Sequence, residues 1–321
     1  MLSLKDKYRD YFKVGAAVSN RTIKSHADII SKHFNCITCE NEMKYSSVAT
    51  DEEHYNFSHA DRIMEFALNN KLAVRGHTLV WHNQTPEWVF KGADREQLLQ
   101  RIKTHIATIG GRYQGQVFCW DVVNEAIEDK FGLVLRQSKW LEILGDHFMD
   151  DIFRIARELL PGAQLFYNDY NETNLEKREK IYQTIRNMKK RGIPVDGIGM
   201  QCHNNIYGPT ADELKRTIEL YAGLGVRIHI TEMDVSLYEF SDHSKHMEPP
   251  ADLIEKQAVI YDKYFQIFRE YKDYIDCVTL WGVADDATWL DNFPVRNRKN
   301  WPLLFDENHN PKEALHRILN F

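Results

Sequence analysis

Residues 117–126 read VFCWDVVNEA. From Val117 to Val123 the run is apolar and rich in β-formers, interrupted only by Asp121. That composition suits a strand covered on both faces, and such strands belong to parallel sheets flanked by helices. The pattern recurs along the chain. Strands are predicted near Lys13–Val18, Phe34–Glu40, Ala73–His77, Val117–Val123, Gln164–Tyr167, Asp196–Met200, Val226–Ile230 and Asp276–Trp281. Helical periodicity fills the intervals: Ser58–Asn70, Asp94–Ile109, Ser138–Leu159, Glu176–Lys190, Thr210–Gly223 and Ala251–Tyr271, with shorter helices at His26–His33 and Pro311–Leu319. Ile102, Ile106 and Ile109 repeat at helical spacing, as do Leu214, Ile218 and Tyr221. Ser58 with Asp61, Asp94 with Gln97, and Thr210 with Glu213 read as capping pairs at helix starts. Eight strands alternating with eight helices predict an α/β fold, a closed (β/α)8 TIM barrel. The intervals are uneven, so this is no sequence repeat. No Pro/Gly/Ser-rich linker divides the chain, so residues 1–321 are expected to form one domain.

Several functions are excluded early. A formal net charge of -6 leaves no basic footprint, so nucleic acid is not an expected partner. No stretch reaches the roughly 18 apolar residues of a membrane span. The opening MLSLKDKYRDYFKVG carries both signs of charge and no long apolar run, so it does not read as a secretory signal. A cytoplasmic location is the expectation, although a chain already trimmed of its signal would read the same. Five cysteines stand at 36, 39, 119, 202 and 277. Cys36 and Cys39 form a CxxC, but inside a strand-like run, where residues three apart face opposite sides. All five are expected to be small buried residues rather than ligands or redox groups. No Cys/His set has clean ligand spacing, so no metal and no cofactor is expected.

A barrel demands that functional groups cluster just after its strands, at one face. Polar and aromatic residues follow seven of the eight predicted strands. Glu40, Asn41 and Lys44 follow the second. His77, Trp81, His82, Gln84 and Trp88 follow the third, Asn124 and Glu125 the fourth, Asn168, Asp169 and Tyr170 the fifth. Gln201 and His203 follow the sixth, Glu232 and Asp234 the seventh, Trp281 and then Trp289 the eighth. Glu125 and Glu232 stand at like ends of two parallel strands, the arrangement that hydrolysis of a glycosidic bond requires. On the strand pattern alone, helix caps or salt-bridge residues fit these two positions equally well. His77, His82 and His229 each fit a structural role. Trp120 and Trp140 are expected in the core, and Trp88 fits either core or site. Trp81, Trp281 and Trp289 are placed to stack on sugar rings.

The segments FNCITCENEMK, VRGHTLVWHNQTPEW, WDVVNEA, FYNDYN, GIGMQCH, ITEMDV and WGVADDATW, spread over residues 34–289, resemble glycoside hydrolase family 10, the retaining β-1,4-xylanases. Position by position, the resemblance implies Glu125 as acid/base and Glu232 as nucleophile. It implies that Asn124 binds the 2-hydroxyl of the sugar beside the scissile bond, within a cage of His77, Trp81, Gln201, Trp281 and Trp289. Glu40, Asn41, Lys44 and Gln84 would hold sugars toward the non-reducing end, and Tyr170 would lie on the leaving-group side. His203 would bond the nucleophile, with Asp234 behind it. The implied substrate is xylan or xylo-oligosaccharide. The lack of a signal-like start resembles the family's intracellular members, suited to short imported oligosaccharides. The loops SLYEFSDHSKHMEPP and the one after the eighth strand are the least predictable parts.

Two other function classes compete. A metal-dependent barrel hydrolase would recruit His77, His82 and His203 as ligands, leaving Asn124, Glu125 and the paired tryptophans without a task. A non-catalytic sugar-binding barrel would keep the aromatics but need not keep both glutamates.

Overall fold

Strand pairing closes the sheet on itself. The computed structural model describes residues 2–321 and contains ten strands: β1 (Lys13–Val18), β2 (Cys36–Cys39), β3 (Ala73–Gly76), β4 (Val80–Trp81), β5 (Val117–Asn124), β6 (Gln164–Asp169), β7 (Gly197–Met200), β8 (His203–Asn205), β9 (Arg227–Ser236) and β10 (Ile275–Leu280). Eight of them pair in the order β1-β2-β3-β5-β6-β7-β9-β10, all parallel, and β10 pairs back onto β1. This is the expected (β/α)8 barrel. β4 and β8 are short rungs that lengthen the C-terminal ends of β5 and β9.

The helices lie between successive strands. The apolar stripes anticipated from periodicity face the barrel: Ile102, Ile106 and Ile109, and Leu214, Ile218 and Tyr221, are fully buried. Capping boxes form at Asp94 with Gln97 and at Thr210 with Glu213. The one expected at Ser58 does not. Ser58 is the first helical residue, and Asp61 instead takes a bidentate ion pair from Arg112 and a hydrogen bond from Tyr113. The helix anticipated over 138–159 is broken at Gly145, whose φ of +80° ends Lys139–Leu144 before Phe148–Leu159 begins. β9 runs six residues past the expected strand end at Ile230, to Ser236, because β8 pairs with it through His203↔Asp234, Asn204↔Val235 and Asn205↔Ser236. Glu232 and Asp234 therefore sit within a strand, two residues apart and on the same face.

The barrel interior is partly polar. Arg75 on β3 makes a bidentate ion pair with Asp121 on β5, and both are buried. The guanidinium lies 5.3 Å from the centre of the Phe166 ring, which in turn packs 4.1 Å from His229. Asp121 also accepts from His77 Nδ1 at 2.9 Å. The interruption in the run 117–123 is thus the anion of a buried pair that orients a side chain at the barrel mouth. All five cysteines are free and buried, and Trp120 and Trp140 are core residues, as expected.

Removing one partner of a buried ion pair strands the other charge. Arg75→Met is expected to lower unfolding free energy by about 3–5 kcal/mol, measured as a fall in the urea midpoint. A midpoint unchanged from wild type would show that Asp121 needs no cation.

Candidate active site

Glu125 follows the last residue of β5 with φ of +56°, in the left-handed region that non-glycine residues rarely enter. The backbone is held there from both sides. Its N–H donates to the Asn168 carbonyl at 2.9 Å, and its carbonyl accepts from Arg136 Nε at 2.9 Å. This turn aims the half-buried side chain into the mouth. The carboxylate meets neutral donors: Trp81 Nε1 at 2.8 Å, Gln201 Nε2 at 3.0 Å and Asn124 Nδ2 at 3.3 Å.

Glu232 lies in different surroundings. It is buried on β9, takes Asn168 Nδ2 at 2.8 Å on one oxygen, and stands 3.2 Å from His203 Nε2 on the other. His203 Nδ1 is 3.0 Å from Asp234, which also accepts from Trp289 Nε1 at 2.8 Å. Burial disfavours a charged His203, but Asp234 and Glu232 outweigh it and push its pKa up to about 10. Both ring nitrogens therefore carry protons and donate. Burial also disfavours a charged Glu232. The nearby His77, the bond from His203 and the Lys44 ammonium together win, holding its pKa down at about 2.

Asn168, on β6, joins the two carboxylate settings. Its Nδ2 donates to both Asn124 Oδ1 (2.9 Å) and Glu232 Oε1, while its own Oδ1 accepts from Thr231 at 2.7 Å. That fixes Asn124 as well: turned the other way, its amide nitrogen would stand 2.9 Å from Asn168 Nδ2, donor against donor. Space for the Asn168 amide comes from Gly199 on the neighbouring strand β7, where a Cβ would lie 2.2 Å from Asn168 Oδ1.

The remaining anticipated residues flank this centre. On one side, buried Lys44 donates to Asn41 Oδ1 at 3.1 Å and sits 4.8 Å from the Trp81 ring centre, and exposed Gln84 donates to the same Asn41 oxygen at 3.3 Å. Burial pushes the half-buried Glu40 up and Lys44 down, with Glu232, Glu40 and Glu125 acting to keep Lys44 charged. His77 and His203 both pack edge-on to Trp281, at 5.4 and 6.2 Å, and Trp289 packs 4.8 Å from His203. On the other side, the Tyr170 hydroxyl is fixed by Arg136 (2.8 Å) and Asp129, with Lys177 4.1 Å from its ring centre. His82 and Trp88 make none of these bonds. Burial lowers the His82 pKa to about 4.

Several residues were given no task at the site from sequence. Asn168 and Asp121 are polar residues inside apolar strands, a signal of a buried bond. Arg136 and Trp140 lie in a loop and a helix. Trp140 Nε1 donates to the Trp81 carbonyl at 2.9 Å, so a core residue also fixes a site residue. Buried Glu172 accepts from the backbone and thiol of Cys202, both at 3.1 Å, and so anchors the residue between Gln201 and His203, itself at φ +55°.

Replacing His203 by Gln removes one of the groups that, with His77 and Lys44, keep Glu232 ionised. The acid limb of kcat/KM is expected to move up from near 2 toward the ordinary 4.5. Stability follows the same pair. The contribution of Glu232, whose pKa is depressed, is present above 4.5 and lost as pH falls toward 2. That of His203, whose pKa is raised, is complete below 6.5 and lost as pH rises toward 10. An acid limb unmoved in His203→Gln would remove the imidazolium from this account.

Known proteins bear on the same site. The Glycosyl hydrolase family 10 profile matches residues 3–321. Endo-1,4-beta-xylanase A of Caldicellulosiruptor saccharolyticus is 50% identical over 328 residues, covering 100% of this chain and 96% of that protein. An endo-1,4-beta-xylanase of Geobacillus stearothermophilus is 48% identical, covering 99% and 98%. Among solved structures, xylanase XynB of Paenibacillus barcinonensis in complex with a conduramine derivative superposes with a TM-score of 0.97 at 50% identity, covering 99% of this chain and 98% of that one. The endo-1,4-beta-xylanase of Caldicellulosiruptor owensensis superposes with a TM-score of 0.98 at 49% identity over 100% of both chains. With the profile spanning nearly its whole length and relatives at half identity, this chain belongs to glycosyl hydrolase family 10.

Proposed function

We propose that this protein is a retaining endo-1,4-β-xylanase that cuts internal bonds of xylan and xylo-oligosaccharides, with Glu125 as acid/base and Glu232 as nucleophile. The observation that carries the reading is the unlike setting of the two carboxylates. Glu232 faces an imidazolium and is held ionised, as a nucleophile must be. Glu125 takes its hydrogen bonds from the neutral donors of Trp81 and Gln201, which orient it.

In the first step Glu232 attacks the anomeric carbon while Glu125 gives its proton to the departing glycosidic oxygen. A covalent xylosyl-enzyme forms and the leaving chain departs with a free hydroxyl. In the second, Glu125, now a carboxylate, takes a proton from water. The water oxygen attacks the anomeric carbon and Glu232 leaves, so two inversions restore the β configuration. Asn124, His77, Trp81, Gln201, Trp281 and Trp289 are assigned to the sugar at the cut. Glu40, Asn41, Lys44 and Gln84 are assigned to sugars on its non-reducing side, which favours internal cutting because a purely terminal cutter needs no room there. Tyr170 is assigned to the leaving-group side. The named relatives support the choice of xylan. A metal-hydrolase role for His77 and His203 fits poorly, since His77 is bound to Asp121 and both nitrogens of His203 are committed. Nothing in the charge balance favours nucleic acid, and no helix among the described residues is long and apolar enough to cross a membrane.

Proton NMR of the first product should show the β anomer before mutarotation, and xylohexaose should give internal cuts, mainly to two- and three-sugar products. Early α anomer would sink double displacement, and xylose released singly from one end would sink internal cutting.

The two glutamates are separable by substitution. Glu232→Ala is expected to lose turnover of unactivated substrate, with azide restoring turnover of an activated aryl xyloside as the α-xylosyl azide. Glu125→Ala should still form the covalent intermediate from substrates with acidic leaving groups, which need no proton, and then release it slowly. Equal losses on good and poor leaving groups would contradict the acid/base assignment.

A further inference from the structure

Away from the carboxylate network, His26, Asp286 and His309 converge from three distant segments. His26 lies in the connection between β1 and the helix Ala27–His33, Asp286 in the loop after β10, and His309 ahead of the terminal helix Glu313–Leu319. Asp286 Oδ1 stands 2.8 Å from Nε2 of His26 and 3.5 Å from Nε2 of His309. One ligand atom from each residue lies within 4.8 Å of the others, and the two rings are 4.2 Å apart. No other trio of His, Cys, Asp or Glu among the described residues gathers in this way.

The surroundings favour a cation at the focus. The His26 side chain is completely buried, and its Nδ1 is 2.6 Å from Ser25 Oγ. The Ser25 hydroxyl donates to the Arg21 carbonyl at 3.2 Å. With its hydrogen spent there, Ser25 accepts from His26 Nδ1–H. The Nε2 lone pair then faces a carboxylate oxygen 2.8 Å away, and these two acceptors share a proton in the metal-free protein, which a metal ion drawn to the same atoms displaces as the pair opens slightly. An outer partner on Nδ1 that turns the Nε2 lone pair inward is the usual arrangement of a metal-binding histidine. Asp286 and His309 remain 27% and 33% exposed, which leaves the open side reachable by solvent. Arg21, 3.2 Å from the second Asp286 oxygen, is 65% exposed and free to swing away.

We propose that His26, Asp286 and His309 form a site for a divalent transition-metal ion of the Zn2+ class, held by two imidazole nitrogens and one carboxylate oxygen with water in the fourth position. Imidazole with a single carboxylate suits Zn2+ rather than Ca2+ or Mg2+, which take mostly oxygen ligands. The ion does no glycosidic chemistry. It fastens the loop of residues 282–288, which leads into Trp289, to the segment after β1 and to the segment before the last helix. The sequence positions 26, 286 and 309 have no ligand spacing, so only the closed barrel brings them together.

Calorimetric titration of the metal-free protein with ZnCl2 at neutral pH should show one site, and the same ion should raise Tm. Co2+ in its place should give the intense visible bands of four-coordinate nitrogen and oxygen ligation. His309→Ala and Asp286→Asn, neither of which belongs to the carboxylate network, should each weaken Zn2+ binding by at least about tenfold and remove the Tm rise. Should either variant not fold, the Co2+ spectrum of the wild-type protein decides. Absence of binding in the wild type, a weak six-coordinate Co2+ spectrum, or unchanged affinity in both variants would overturn the proposal. Turnover after removal of the ion is expected to match that of the loaded enzyme at moderate temperature.

Discussion

One amide side chain holds the two halves of the site in register. Asn168 donates through a single nitrogen to Asn124 on β5 and to Glu232 on β9, and accepts from Thr231 through its oxygen. Its backbone carbonyl meanwhile takes the N–H of Glu125. Three strands that are not all neighbours are thereby tied at their C-terminal ends. The tie works because it is buried, where a hydrogen bond is strong and an unmade one is costly. It also depends on Gly199, since any side chain there would occupy the volume of the amide. The separation of the proposed acid and nucleophile is thus a property of the barrel wall and not of flexible loops.

The electrostatic division follows from which groups each wall supplies. β8 and β9 bring His203 between two carboxylates, so that a buried imidazolium and a buried carboxylate sustain each other's charge. β4 and β7 bring Trp81 and Gln201 to Glu125, donors that orient without carrying charge. Deeper in the barrel, Arg75 and Asp121 repeat the theme of paired buried charge and use it to set the ring of His77. Positive charge on His203 and Lys44 therefore bears on Glu232 in a low-dielectric space, where it is worth far more than at the surface.

Much of this was legible in the order of residues. Apolar, β-rich runs located all eight barrel strands, because a strand buried on both faces leaves a recognisable composition. The polar residues just past those runs marked the mouth. What escaped had a physical reason. The break at Gly145 depends on a positive φ that composition alone does not demand. Ser58 lost its expected cap because Arg112 and Tyr113, fifty residues away, made a better offer to Asp61. The extension of β9 required a partner, β8, too short to show any periodicity. Asn168 could be seen as a polar residue in an apolar run, but its three partners on β5 and β9 could be named only once the barrel was closed. The same holds for His26, Asp286 and His309, whose meeting is a result of closure.

The left-handed backbone at Glu125 has a consequence for how this fold tolerates change. A non-glycine residue in that conformation costs on the order of 1–3 kcal/mol, and the surrounding bonds from Asn168 and Arg136 absorb it. The position is locally frustrated: glycine or asparagine would satisfy the chain better than glutamate does. Selection for thermal robustness alone would drift away from Glu125, while the proposed acid/base role would hold it in place. On the proposed acid/base role, this strained link in the wall is a signature of use, and a stabilised relative lacking it would be a barrel that had given up its chemistry.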